Sequence, residues 1–93
     1  MTDQARVERD VEIVNRAGMH ARPAAEFVKL AGQYSANITV AKDGLEVNGK
    51  SIMGVLMLAA ELGSTLRVAA LGEDAEDAVE ALADLVGRGF EDN

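Results

Sequence analysis

The sequence predicts an α/β (α+β) protein built as a two-layer open sandwich, with helices covering one face of a sheet. Three observations predict it. Seven segments follow one another in the order β-α-β-β-α-β-α. Each strand segment is apolar on one side only, at a period of two. Each of the longer helical segments carries one apolar stripe, so helices can cover one sheet face and leave the other in water.

The elements follow in order. Val7, Val11 and Ile13 share one parity, and Glu8, Asp10 and Glu12 take the other. That alternation is a half-buried strand, with Arg9 breaking the apolar side. Asn15 to Met19 is a polar loop containing a glycine. Ala24, Phe27, Val28 and Ala31 recur at helical spacing, so 21–31 reads as an amphipathic helix. Pro23 is tolerated in its first turn, where a missing N–H does no harm, and Gly32 suits its C-cap. Ile38 and Val40, the turn Lys42-Asp43-Gly44, then Leu45 and Val47 read as a hairpin. Ser51 is the expected N-cap of a short apolar helix over 52–58. Leu66, Val68 and Ala70 give the fourth strand. Asp74, with Asp77 three residues on, is the expected cap of a last helix buried through Ala75, Ala78, Val79, Leu82, Leu85 and Val86. Phe90 to Asn93 reads as a loose tail. Strand order within the sheet is not encoded in these patterns.

Composition narrows the function. At 93 residues the chain is expected to form a single domain over 1–93, with its core in 7–86 and short polar tails. Aromatic content is 3%, so the core is aliphatic. The absence of Cys excludes disulfides, thiol redox chemistry and thiolate metal sites, and a lone His excludes multi-His centres. No cofactor or metal is expected. Nine Lys and Arg against 16 Asp and Glu leave a net charge of -7. That balance argues against nucleic-acid binding and fits basic protein partners. The longest near-apolar run, 52–60, is too short to span a bilayer. No apolar signal segment follows the N-terminus. A cytoplasmic monomer without membrane insertion is the expectation.

The chemistry concentrates in Gly18-Met19-His20-Ala21-Arg22-Pro23-Ala24-Ala25. The only His stands where a loop meets a helix N-terminus. The first helical N–H groups and the helix dipole favour an anion there, phosphate included. Arg22 adds a permanent cation with several donors. His20 supplies a nucleophilic ring nitrogen that titrates near neutrality. Taken singly, His20 reads as an exposed or capping residue, Arg22 as a solvated charge and Pro23 as a helix start. Together they can form a phosphohistidine and stabilise its charge.

These residues carry a resemblance. The stretch Gly18 to Ala24 resembles the phosphorylation-site motif of the HPr family, the histidine-containing phosphocarriers of the bacterial phosphoenolpyruvate:sugar phosphotransferase system. The similarity continues through Phe27-Val28-Lys29-Leu30-Ala31. It returns at Val47-Asn48-Gly49-Lys50-Ser51-Ile52-Met53-Gly54-Val55 and again over 72–78. The resemblance implies four antiparallel strands and three helices in an open-faced sandwich. It implies a phosphocarrier rather than a turnover enzyme. His20 Nδ1 takes the phosphoryl group from phosphorylated enzyme I and passes it to enzyme IIA components. Arg22 neutralises the phosphoryl oxygens, the backbone N–H groups of Ala21 and Arg22 donate to them, and Pro23 shapes the turn. Ala17 stands where some relatives carry a small polar residue able to bond near the active His.

Ser51 has two compatible roles. One is the helix cap. The other, implied by the resemblance, is regulatory phosphorylation by an HPr kinase/phosphorylase, with a regulatory protein as a further partner. Ile52, Met53, Val55, Leu56, Met57 and Leu58 cannot all be buried, and Met is adaptable at recognition surfaces. The expected docking face is therefore Met19, Pro23, Lys50, Ile52, Met53 and Met57, with Met53 near His20 and partly exposed, and with Met19 flanking the ring. Alternatives are a nitrogen-type regulatory paralogue and a small non-catalytic binding domain working through Ser51. Two others are an acylphosphatase-like hydrolase, for which no phosphate loop is present, and a plain α/β domain whose His20 only caps a helix.

Overall fold

The computed structural model describes residues 6–91. Strand β1 covers Arg6–Glu12, helix α1 Ala21–Ala31, β2 Asn37–Lys42, β3 Leu45–Asn48, α2 Ile52–Met57, β4 Thr65–Leu71 and α3 Ala75–Gly87. A short left-handed turn, Gly89–Glu91, with φ of +71°, +58° and +57°, closes the described chain. The element order is the expected one. The fold is an open-faced sandwich with a four-stranded antiparallel sheet and three helices.

The sheet order is β1-β4-β2-β3. The last strand inserts between the first strand and the hairpin, and every neighbouring pair runs antiparallel. Register puts the apolar parities together. Val7 faces Ala70 and Val11 faces Leu66; Val40 faces Val68 on one side and Val47 on the other. A shift of one residue would turn each of these sets to solvent, which is why the register is well specified.

Beneath that face, Phe27 of α1, Val55 of α2 and Val79, Leu82 and Val86 of α3 are fully buried against Val40, Leu66 and Val68. Helix α1 packs on both α2 and α3. The opposite sheet face is bare and charged. Arg67 pairs with Asp10 at 3.0 Å and Arg6 with Glu8 at 2.7 Å, both in solvent, where such pairs contribute little.

Four local expectations are corrected. Strand β1 ends at Glu12 rather than Ile13; Ile13 is fully buried and exchanges backbone hydrogen bonds with Ser64 and Gly63 instead, at 2.8 Å each. Phe90 is no loose tail. It is 3% exposed within the core, seated by the left-handed turn; the rest of the expected tail, 92–93, and the first five residues lie outside the described residues. Helix α2 stops at Met57, with Leu58 as its C-cap. Asp74 occupies the N-cap position of α3 but makes no side-chain cap bond. Its carboxylate accepts the N–H groups of Ser35 and Ala36, each at 2.8 Å, tying the α1–β2 loop to the start of α3. A tertiary pair of donors has outcompeted the local one.

Candidate functional site

The loop between β1 and α1 is folded back on itself. The Asn15 side-chain amide donates to the Gly18 carbonyl at 2.8 Å, and the Gly18 N–H donates to the Asn15 carbonyl at 3.1 Å. Gly18 has φ +71°, a conformation open to glycine. A Cβ there would stand 2.5 Å from the Ala60 carbonyl oxygen. The next residue, Met19, donates its N–H to that same carbonyl at 2.9 Å. The loop before α1 is therefore fastened to the segment after α2.

His20 follows as the N-cap residue of α1, in extended conformation at φ -82° and ψ -168°. Its carbonyl accepts the Ala24 N–H at 2.9 Å, the first closure of the helix. His20 holds the N-cap position, but its side chain makes no cap hydrogen bond. His20 is part exposed, and Ala21 and Arg22 are exposed beside it. No residue of the first turn is acidic. The positive end of the helix dipole and the amides of Ala21 and Arg22 thus adjoin His20 in a first turn that carries no acidic residue, a setting that favours a dianionic phosphoryl group.

Ser51 heads α2 in the same manner, with its hydroxyl in use as the cap: Oγ accepts the Gly54 N–H at 3.1 Å. Gly54 lets this helix lie close on β3, since a Cβ would come 3.3 Å from Cβ of Val47 and 3.4 Å from Ser51 Oγ. Lys50, half-buried, is held at both ends. Its N–H donates to Asn48 Oδ1 at 2.8 Å and its Nζ to the Tyr34 carbonyl at 2.7 Å. At the far end of α2, Lys42 Nζ donates to the Leu58 carbonyl at 3.2 Å, where a cation suits the helix dipole.

The expected docking residues divide. Ile52, Met53 and Met57 are exposed, Met53 by 67% and Met57 by 66%. Met19 and Pro23 are not available as side chains on a surface. Met19 is 4% exposed and belongs to the core cluster, and Pro23 is among the fully buried residues. The loop turns Met19 inward because its backbone is pulled onto Ala60, and the first turn of α1 presses Pro23 inward beside Ala24. Sequence reading passed over Asn15, which is 2% exposed. Asn followed three residues later by Gly was a turn signal in the sequence, but its burial was not visible there.

No three metal-ligating side chains come together among the described residues. A cleft of about 460 Å³ lies on the bare sheet face, lined by Arg6, Glu8, Asp10, Lys42, Glu46 and Arg67 among others, and shares no residue with the His20 loop.

Comparison with known proteins agrees with this geometry. Residues 7–88 match the family described as the PTS HPr component phosphorylation site. The chain is 40% identical over 84 residues to the phosphocarrier protein HPr of Cupriavidus necator, covering 90% of this chain and 94% of that protein. It is 46% identical over 76 residues to the HPr-like protein Crh of Halalkalibacterium halodurans, covering 82% of this chain and 90% of that one. The crystal structure of HPr-C-His from Thermoanaerobacter tengcongensis superposes with a TM-score of 0.89 at 44% identity, covering 94% of this chain and 98% of that one. Proteins of this kind are phosphoryl-group carriers, not catalytic enzymes themselves. The chain belongs to the HPr family of the bacterial phosphotransferase system. Its function is to carry phosphoryl groups between enzyme I and enzyme IIA.

Proposed function

We propose that His20 is the residue that carries the phosphoryl group, on Nδ1. The observation that supports this reading is the placement of a part-exposed histidine at the N-cap of α1, with no side-chain cap bond and no acid in the adjoining turn. Transfer is in line. The Nδ1–P bond forms as the bond between phosphorus and the donor's histidine nitrogen breaks, and the donor ring keeps the electron pair. Such a step is mostly positioning and charge compensation. Arg22 compensates the phosphoryl charge, and the amides of Ala21 and Arg22 donate to its oxygens. The second transfer, to a histidine of enzyme IIA, repeats the geometry with His20 as donor. An N–P bond to a good leaving group keeps the carrier from becoming a trap.

Met53, Ile52 and Met57, with Lys50 at the head of α2, form the partner-docking surface, and Met53 lies on the His20 side of it. The exposure of three large apolar side chains on one short helix supports this. Ser51 is a regulatory phosphorylation site for an HPr kinase/phosphorylase, with a regulatory protein reading the product. Phosphate at the start of α2 need not unfold the helix; it adds charge and bulk within the docking surface. The protein acts as a cytoplasmic, one-domain monomer. Among the described residues no helix is long and apolar enough to cross a membrane.

The test is to mix the protein with enzyme I, magnesium and labelled phosphoenolpyruvate. Acid-labile label is expected on the wild type and absent from His20→Ala. Equal labelling of the variant overturns the assignment. Titration of the Ser51-phosphorylated protein against enzyme I tests the regulatory reading, which an unchanged affinity together with an unchanged transfer rate overturns.

A further inference from the structure

We propose that Asn15 is a positioning residue for the phosphoryl acceptor, acting through the peptide unit that precedes it by one residue. The inference rests on the reading of His20 as that acceptor.

Asn15 is 2% exposed, the polar exception among the buried side chains of the described residues. A polar side chain in such a place is costly unless its hydrogen bonds are made. The bond it makes is informative. The Asn15 amide donates to the Gly18 carbonyl oxygen, while the N–H of Met19 donates to the Ala60 carbonyl. That carbonyl and that N–H are the two polar ends of one peptide unit, between Gly18 and Met19. A peptide unit is planar, so bonds at both ends remove its freedom to rotate. Gly18, seated at φ +71° against Ala60, has no room to relax.

Downstream, the His20 carbonyl is held by the Ala24 N–H. Between these two fixed points lie only the torsions of Met19, whose side chain is locked in the core, and those of His20 itself. The direction of the His20 Cα–Cβ bond is thereby set from both sides, and one of the two upstream anchors is the Asn15 amide. The left-handed turn at Gly89–Glu91 backs that anchor. A Cβ on Gly89 would lie 3.6 Å from Cβ of Asn15 and 3.4 Å from Cγ2 of Val14. Removing the amide releases one end of the peptide and allows the acceptor ring to reorient, with the anion-favouring helix start left intact.

The experiment compares wild type, Asn15→Ala and Val79→Ala, the last a core truncation in α3 remote from the loop. Three quantities are read: thermal stability, titration of the His20 ring by NMR, and steady-state phosphoryl acceptance from phosphorylated enzyme I. Both variants are expected to melt earlier. Only Asn15→Ala is expected to move the ring titration and to lower kcat by about tenfold to a hundredfold at unchanged KM. A ring titration matching that of Val79→Ala, or a loss confined to KM, overturns the inference. Exchange of the Asn15 side-chain amide protons in the wild type provides a measure that requires no variant. Slow exchange relative to Asn37 and Asn48 is expected, and equally fast exchange overturns the anchor. A wild type that takes no label, or a labelled His20→Ala, overturns the His20 reading instead, and the ring titration still decides the role of Asn15.

Discussion

Asp74 and Ala36 are joined across 38 residues of sequence: Asp74 Oδ1 accepts the Ala36 N–H at 2.8 Å, beside the bond from Ser35 to Oδ2. The N–H of Ser35 is the main cause that holds the Asp74 carboxyl below its ordinary value of 3.8, with the N–H of Ala36 and the charge of Lys50 adding to it against desolvation.

A pH dependence follows from that carboxylate. Its folded pKa lies below its unfolded one, so the unfolded state binds the proton more readily. The stabilisation is fully present above the unfolded value near 3.8 and is lost as pH falls through the folded value. Urea unfolding is expected to show Asp74→Asn less stable than wild type at pH 6, with the gap closing progressively below pH about 4. A gap independent of pH contradicts this.

Ala59 stands just past the end of α2 at φ +50°, where glycine is the ordinary occupant. Ala59→Gly is expected to raise stability by about 0.5–1 kcal/mol, since the left-handed conformation costs an L side chain more than glycine loses in chain entropy. A thermal melt checks this, with an expected rise of several degrees.

Phe90 is buried within the core although it lies beyond the last helix. Phe90→Ala is expected to destabilise the fold by about 3 kcal/mol or more, measured by urea titration. A loss within a few tenths of a kcal/mol of zero, the ordinary result for a surface site, would show that the turn does not pack in solution.

Met53 and Met57 are expected to behave alike, and unlike the buried Phe90. Met53→Ala and Met57→Ala should each change stability by no more than about 0.5 kcal/mol, as exposed positions do. In transfer assays with enzyme I they should raise KM while leaving kcat near wild type, because the loss is in docking. A fall in kcat at constant KM contradicts the docking role.

The strands and the two longer helices were legible because Val7 and Val11, Ile38 and Val40, and the stripe on α3 repeat with the period of their element. What was hidden is non-local. Nothing in Leu66-Arg67-Val68 says that this strand lies between β1 and β2, since one alternating strand fits many neighbours. Phe90 stands alone after two glycines, with no periodic companion to mark it as core. Asp74 matched a local capping pattern, and only the folded chain brings Ser35 and Ala36 to it. Within the candidate site, the place of His20 and Arg22 at a helix start was legible, and Ser51 as a cap. Met19 and Pro23 were not legible as interior residues, because an apolar residue at a loop–helix junction carries no period. The inward turn of Met19 depends on Ala60, 41 positions away.

The bare side of the sheet has a practical consequence. Glu46 and Arg67 line a cleft that shares no residue with the His20 loop, so a fluorophore or a resin linker attached at either one touches none of that loop's own residues. The protein can be tethered by its back while its front still meets donor and receiver in turn.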